Sequence, residues 1–299
     1  MSPESSPPPS ALHIAWVAIR PRTLPLAVTP VLLGSALAIG DGHALHVPSL
    51  LLALACSLLI QIATNLHNDA ADFIRGTDMA GRIGPIRVTA AGWASAKTLT
   101  RASLACLALA MLLGLALVLR GGWPILLAGL ASMLAAWSYS GGPWPVSRGA
   151  WGEVLVILFF GIVAVSGSHW LQGLTGSFDT VLAGLAVGLP AAAVLLVNNY
   201  RDLDNDVRSG RRTLAWRLGQ PGARTAYAAL LLLPFLALAA LAAQSRPGLW
   251  IAMAVMPLAF VLIRRLQARP PGPWLNQHLA LTAQFSAGLG LLMAIGALL

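Results

Sequence analysis

Apolar residues fill this chain in long unbroken runs, and polar residues gather in the gaps between the runs instead of alternating with them. Nine runs fall near residues 22–40, 49–67, 101–119, 122–140, 151–170, 179–199, 224–243, 248–264 and 279–298. Each is roughly 17–22 residues, the length at which a helix crosses a hydrocarbon core of about 30 Å. A spanning strand would alternate apolar and polar positions, so continuous runs exclude a β-barrel. The pattern predicts an all-α fold, a polytopic transmembrane bundle of about nine helices.

The gaps alternate in length. Terse ones, such as Arg120-Gly121-Gly122 and Gln244–Pro247, face longer polar ones near 68–100, 141–150, 200–223 and 265–278, so every long loop falls on one side. Seventeen of the 19 Lys and Arg residues lie on that side, and only Arg120 and Arg246 lie opposite. Cytoplasmic loops carry the positive excess, so the N-terminus and the long loops are expected in the cytosol. The opening MSPESSPPPS is rich in proline and serine and lacks the basic start of a secretory signal. It predicts a disordered cytosolic tail over residues 1–13, with no cleaved signal, followed by a single transmembrane domain over 14–299. The runs at 49–67 and 179–199 each end in an Asn/Asp cluster, which suggests two loosely related halves.

Composition agrees with lipid as the solvent. Of 299 residues 57% are hydrophobic and 10% charged, and mean hydropathy is +0.76. A net charge of +9 would suggest nucleic acid in a soluble chain, but here the charges sit in the loops of a membrane protein. Membrane lipid, not nucleic acid, is the expected surrounding partner. Cys56 and Cys106 lie in apolar runs without metal or redox spacing and read as structural thiols.

The acidic residues change the picture. Six of only 10 fall in two short segments, NLHNDAADFIRGTD with Asp69, Asp72 and Asp78, and NNYRDLDND with Asp202, Asp204 and Asp206. Asn65, Asn68, Asp69 and Asp72 follow one another at helical spacing and so share a face at the end of the second run, as do Asn198, Asp202 and Asp206 after the sixth. Asp204 lies off that face, and Asp78 follows Gly76, where the helix is expected to end. Clustered carboxylates at a membrane surface repel one another and persist where cations neutralise them. Magnesium suits them, because it takes hard oxygen ligands and binds through one or two carboxylates plus substrate phosphates. Asp69, Asp72, Asp78, Asp202 and Asp206 are therefore the expected Mg2+ ligands, facing a diphosphate.

Arg82, Arg87, Lys97, Arg201, Arg211 and Arg212 lie in the same loops and suit the outer phosphate oxygens, although positive-inside placement explains such residues equally. Arg264, Arg265 and Arg269 are remote from the acidic segments and read as membrane-surface residues. His67 reads as a neighbour of the first cluster more than as a ligand. Trp93, Trp144 and Trp216 are either interfacial anchors or contacts to an aromatic or isoprenoid substrate.

The two acidic segments together resemble the paired motifs of the UbiA-type intramembrane prenyltransferases. Within that superfamily, RPRTLPLAVTPVLLGSALA, RIGPIRVTAAGW and YSGGPWP resemble the branch that prenylates 1,4-dihydroxy-2-naphthoate in menaquinone synthesis. The resemblance implies a bacterial inner-membrane enzyme with Mg2+ as cofactor and a polyprenyl diphosphate and 1,4-dihydroxy-2-naphthoate as substrates. It places Asn65, Asn68, Asp69, Asp72 and Asp78 in the first motif and Asn198, Asn199, Asp202 and Asp206 in the second. Gly81 stands where the family usually has an acidic residue before Arg82, and His67 where it usually has a small one. Ionisation of the allylic diphosphate, ring attack and decarboxylation are the implied steps, with the carboxylates Asp69, Asp72, Asp202 and Asp206 carrying the chemistry. Tyr139 is a candidate for the acceptor pocket or equally a belt tyrosine. Rival readings are a sibling enzyme acting on 4-hydroxybenzoate or another acceptor, a cation-coupled transporter, and a lipid-binding scaffold. Acidic groups at helix ends, not at the midplane, argue against transport.

Overall fold

The computed structural model describes residues 9–77 and 83–299. The expectations for Asp78 and Arg82, and for the first eight residues of the tail, lie outside the described residues. The first helix, α1 (Ala11–Ile19), takes in the last three residues of the expected tail and is capped by the Ser10 hydroxyl, which accepts from the His13 amide.

All nine predicted runs fall on helices. After α1, Arg20 takes a left-handed conformation (φ 54°), and a 3-10 turn Pro21–Thr23 leads into α2 (Pro25–Gly40) across a 50° bend. Pro21 and Pro25 each lack an amide proton, so the helix cannot run straight through. Then come α3 (Val47–Ile74), α4 (Ala96–Gly121) and α5 (Trp123–Ser140). The fifth run is a broken helix, α6 (Gly152–Val156), a π-helical segment Ile157–Val163, and α7 (Ala164–Gly173). The remaining helices are α8 (Phe178–Arg201), the short α9 (Leu203–Arg208), α10 (Leu214–Gln244), α11 (Met256–Ala268) after a 3-10 stretch Pro247–Val255, and α12 (Leu275–Gly296). Among the described residues seven helices are long and apolar enough to cross a membrane, or eight with the bent α1–α2 pair counted as one. The run at 122–140 forms α5, whose 18 residues pack on α3 and α4. The chain is an integral membrane protein.

Helix α8 is the central column. In its most apolar stretch 72% of residues are buried, against 22% in α4, so α8 faces protein and α4 faces lipid. The π segment crosses α8 with little clearance, since a Cβ on Gly161 would stand 2.3 Å from the Gly184 carbonyl oxygen. Each acid-bearing helix packs against the next span, α3 on α4 and α8 on α10. Helix α3 has 28 residues, about 42 Å at 1.5 Å per residue, so its last turns extend beyond a 30 Å hydrocarbon core. Those turns carry the first acidic segment.

The two arginines outside the basic face have structural partners. Arg246 reaches Asp41 at 2.6 Å and Asp179 at 2.9 Å, and Asp41 also meets His169 at 2.7 Å. This network ties α2, α7, α8 and the α10–α11 connection together. Burial acts to raise the Asp41 carboxyl, but hydrogen bonds from His169 and Arg246 hold it below the usual carboxylate range. Arg120 donates to the carbonyls of Leu171 and Gln172.

Candidate active site

The last turns of α3 present Asn65, Asn68, Asp69 and Asp72, all buried. Asn65 donates to the Ile19 carbonyl at 2.9 Å and so fastens the α1–α2 bend. Asn68 donates to the Ser140 hydroxyl (3.1 Å) and accepts from Arg87 (3.0 Å), and Arg87 also pairs with Asp72 at 2.9 Å. Asp69 has a different surrounding. Its two carboxylate oxygens accept from the amides of Val88 and Thr89, both at 3.2 Å, and from the Thr89 hydroxyl. It therefore braces the loop that carries Arg87.

The second segment departs from the expected continuous face. Helix α8 ends at Arg201, Asp202 leaves helical geometry (φ −94°, ψ 12°), and α9 restarts at Leu203. Short acidic side chains are poor helix formers, and here the Asp202 carboxylate takes a bidentate grip from neighbouring Arg201, at 2.8 Å on each oxygen. The Asp206 amide still donates to the Asp202 carbonyl (2.8 Å), which turns Asp206 inward to full burial, while Asp204 is exposed. Arg211 approaches Asp206 at 3.4 Å, Thr213 donates to its other oxygen, and Oδ1 accepts no hydrogen bond among the described residues. Burial pushes the Asp206 carboxyl up to about 6, with Asp202 and Asp72 adding to the rise and Arg211 and Thr213 opposing it. For Arg211 burial acts the other way, but Asp206 and Asp72 keep its guanidinium above the ordinary value. The two segments meet where Asn205 donates to the Thr77 carbonyl at 2.9 Å.

Below these groups lies a cavity of about 780 Å³, apolar along most of its wall. Its polar end is lined by Arg20, Asn65, Asn68, Tyr139, Asn198 and Arg201. The four aspartates are not on the wall; Asp72 is linked to Asn68 through Arg87, and Asp202 to Asn198 through Arg201. The arrangement offers guanidinium and amide groups at one end of an apolar chamber, with Asp72 and Asp202 one side chain behind them. It suits an amphiphile with an anionic head and a long hydrocarbon tail.

Other expected residues separate. Arg211 turns two nitrogens to the Ser147 carbonyl, and Asn199 donates to Glu153 at 2.9 Å behind the wall. Tyr139 lies within electrostatic reach of Arg211, Glu153, Asp72 and Arg20. Lys97 is exposed on the first turn of α4, away from the cavity. Arg212 stacks over Trp216 at 5.6 Å, His67 stacks on Trp137 at 4.2 Å, and neither Trp93, Trp144 nor Trp216 lines the cavity. Both cysteines are free and half-buried, and Cys56 lines the cavity wall.

Sequence reasoning passed over Arg20 and Asn276. Asn276 accepts from Arg201 at 3.0 Å and donates to the Ile83 carbonyl at 2.8 Å, joining α12 to the second acidic segment and to the loop that follows the first. It sits outside every motif, while Arg20 lies in the stretch RPRTLP, whose two prolines were the available signal.

The donor chemistry fits a magnesium ion. Asp72 and Asp202 lie within electrostatic reach of Asp206, and one buried oxygen of Asp206 accepts no hydrogen bond among the described residues. No three acidic, histidine or cysteine side chains converge on a point among the described residues. A cation completed by substrate phosphates and water does not require such a cage.

Comparison with known proteins agrees with this geometry. A family model described as "UbiA prenyltransferase family" matches residues 27–293. The chain is 38% identical over 243 residues to 1,4-dihydroxy-2-naphthoate octaprenyltransferase of Escherichia coli, covering 79% of each protein. It is 31% identical to the protein of that name from Bacillus subtilis, covering 96% of this chain and 93% of that one. A UbiA homolog from Archaeoglobus fulgidus, solved with GPP and Mg2+, shares the fold with a TM-score of 0.69 at 16% identity, covering 95% of this chain and 99% of that one. The chain belongs to the UbiA prenyltransferase family.

Proposed function

We propose that this protein transfers a polyprenyl group from an allylic polyprenyl diphosphate to 1,4-dihydroxy-2-naphthoate, with loss of the carboxyl group as carbon dioxide, giving demethylmenaquinol. The observation that carries the reading is the cavity itself, with buried carboxylates and arginines at one end and an apolar chamber below. The E. coli and B. subtilis relatives support the acceptor by their names. The arginine count supports a cytosolic mouth and an inner-membrane location. Residues from 14 onward then act as one domain.

In this reading Asp72, Asp202 and Asp206, joined by Asp78, hold magnesium against the donor's diphosphate. The bound ion supplies charge neutralisation to the departing pyrophosphate. Arg87, Arg201 and Arg20 hold phosphate oxygens, and Asp69 contributes by keeping the Arg87 loop in place. Asn68 and Asn198 orient the head at the cavity rim. When the allylic C–O bond breaks, the electron pair leaves with pyrophosphate, and the apolar wall keeps water from the allylic cation. The ring carbon of the naphthoate then forms the new C–C bond. Tyr139 sits at the polar end of the chamber, where an aromatic acceptor must approach.

The acceptor is tested by offering membranes containing the protein an allylic diphosphate with either 1,4-dihydroxy-2-naphthoate or 4-hydroxybenzoate. Prenylated naphthoquinol with release of carbon dioxide is expected from the first and no product from the second. Prenylation of benzoate alone overturns the acceptor and leaves the donor site standing.

A further inference from the structure

Two sets of glycines in the helices of this bundle contrast sharply. At Gly34, Gly161 and Gly184 a Cβ would stand 2.2, 2.3 and 2.7 Å from a backbone atom of a neighbouring helix, so the missing side chain lets helices cross closely. At Gly114 in α4, Gly129 in α5 and Gly167 in α7 a Cβ would meet nothing within 4 Å. Glycine weakens a helix interior more than any residue but proline, and no close crossing accounts for these three. All three line the cavity.

Their depth is informative. Gly129 lies ten residues from Tyr139 on α5, so at 1.5 Å per residue it is about 15 Å below the polar end. Gly114 precedes the α4–α5 turn at Gly122 by eight residues and Gly129 follows it by seven, which brings both to about 11 Å from that turn. They face the same level of the chamber from adjacent helices. Gly167 opens the wall from α7, near the turn, where Trp170 donates to the Gly121 carbonyl.

We propose that Gly114, Gly129 and Gly167 are the specificity-determining positions for donor length: they hold the lower chamber open, so that long isoprenoid tails pass a level where side chains would stop them. The proposal rests on the prenyl-transfer reading above. A short donor ends above this level and does not sense it; a long donor must thread it. Polar recognition of the head is untouched, because Gly114 and Gly129 are remote from Asn68 and Arg201.

The test uses the full-length protein in membranes, with 1,4-dihydroxy-2-naphthoate as acceptor and geranyl or octaprenyl diphosphate as donor. In G114L and G129L, kcat/KM for the octaprenyl donor is expected to fall by about tenfold or more, mainly through KM, while the geranyl donor stays within about twofold of wild type. Gly288 on α12 is the control, since a Cβ there also meets nothing within 4 Å but the residue does not line the cavity; G288L is expected to leave both donors unchanged. The double variant G114A/G129A, which adds only two methyl groups, is expected to show the same selective loss in weaker form and decides the matter if a leucine variant does not fold. Equal losses for both donors, or no loss for the long one, overturn the gauge while leaving prenyl transfer intact. A wild type that turns over neither donor overturns the prenyl-transfer reading, and this proposal with it.

Discussion

Replacing Asp69 by alanine separates bracing from metal binding. The carboxylate is 2% exposed and accepts from two backbone amides and one hydroxyl on the 88–89 turn. Hydrogen bonds to a charged group contribute roughly 1.5–3 kcal/mol each, and each buried donor left unmatched costs about 1–3 kcal/mol. The three bonds share one acceptor group and are not additive, so Asp69→Ala is expected to cost about 3–5 kcal/mol. Most of that falls on the loop that places Arg87 between Asn68 and Asp72. With 1.4 kcal/mol per factor of ten, donor KM is expected to rise at least about tenfold, and the thermal midpoint in detergent to drop on the order of 10 °C. Thr89→Val removes only the hydroxyl donor and is expected to cost about 1 kcal/mol, with a correspondingly small change in KM. Steady-state kinetics over donor and magnesium concentration, paired with thermal unfolding, give both quantities. An Asp69→Ala protein with wild-type stability and a change confined to its magnesium requirement would refute the bracing argument.

Other outcomes follow from the same geometry. If Asp206 holds magnesium as proposed, protons compete with the ion there, since burial raises its carboxyl to about 6; apparent magnesium affinity is then expected to weaken as pH falls through that value and to lose this dependence in Asp206→Asn. On the opposite face the Asp41 carboxyl is depressed by His169 and Arg246. A depressed carboxyl stabilises the fold above its ordinary pKa and loses that contribution as pH falls through the folded value. Thermal melts in acid are therefore expected to drop more steeply for wild type than for Asp41→Asn, which starts lower near neutral pH. Gly161→Ala places a methyl group 2.3 Å from the Gly184 carbonyl and is expected to destabilise by about 1–3 kcal/mol, read by thermal unfolding, without shifting donor KM.

The spans were legible because lipid imposes one simple rule, a continuous apolar run for each crossing, and no soluble core relaxes it. The face of Asn65, Asn68, Asp69 and Asp72 was legible for a related reason: α3 stays helical through Ile74, so spacing translates directly into direction. At Asp202 the same reasoning failed, because no proline or glycine marks the break and the Arg201 pairing that accompanies it is a tertiary detail of the helix end. Spacing also cannot tell a carboxylate facing the site from one turned to a loop, and so Asp69 and Asp72 looked equivalent. Arg20 and Asn276 come from chain segments far from either motif and meet the site only through the packing of α2 and α12. The bonds of Arg246 with Asp41 and Asp179 were hidden likewise, each partner being an isolated charge at a helix end.

The central claim is that two acidic segments from separate helices act together on a prenyl diphosphate through magnesium. It is tested most directly by measuring transfer of a radiolabelled prenyl group to 1,4-dihydroxy-2-naphthoate in membranes, with and without magnesium, for wild type, Asp72→Ala and Asp202→Ala. The account predicts magnesium-dependent product from wild type and a loss of at least about a hundredfold in either variant, the scale on which single electrostatic partners of a transition state act. Full turnover in both variants, or undiminished wild-type turnover after magnesium is removed by chelation, would contradict it.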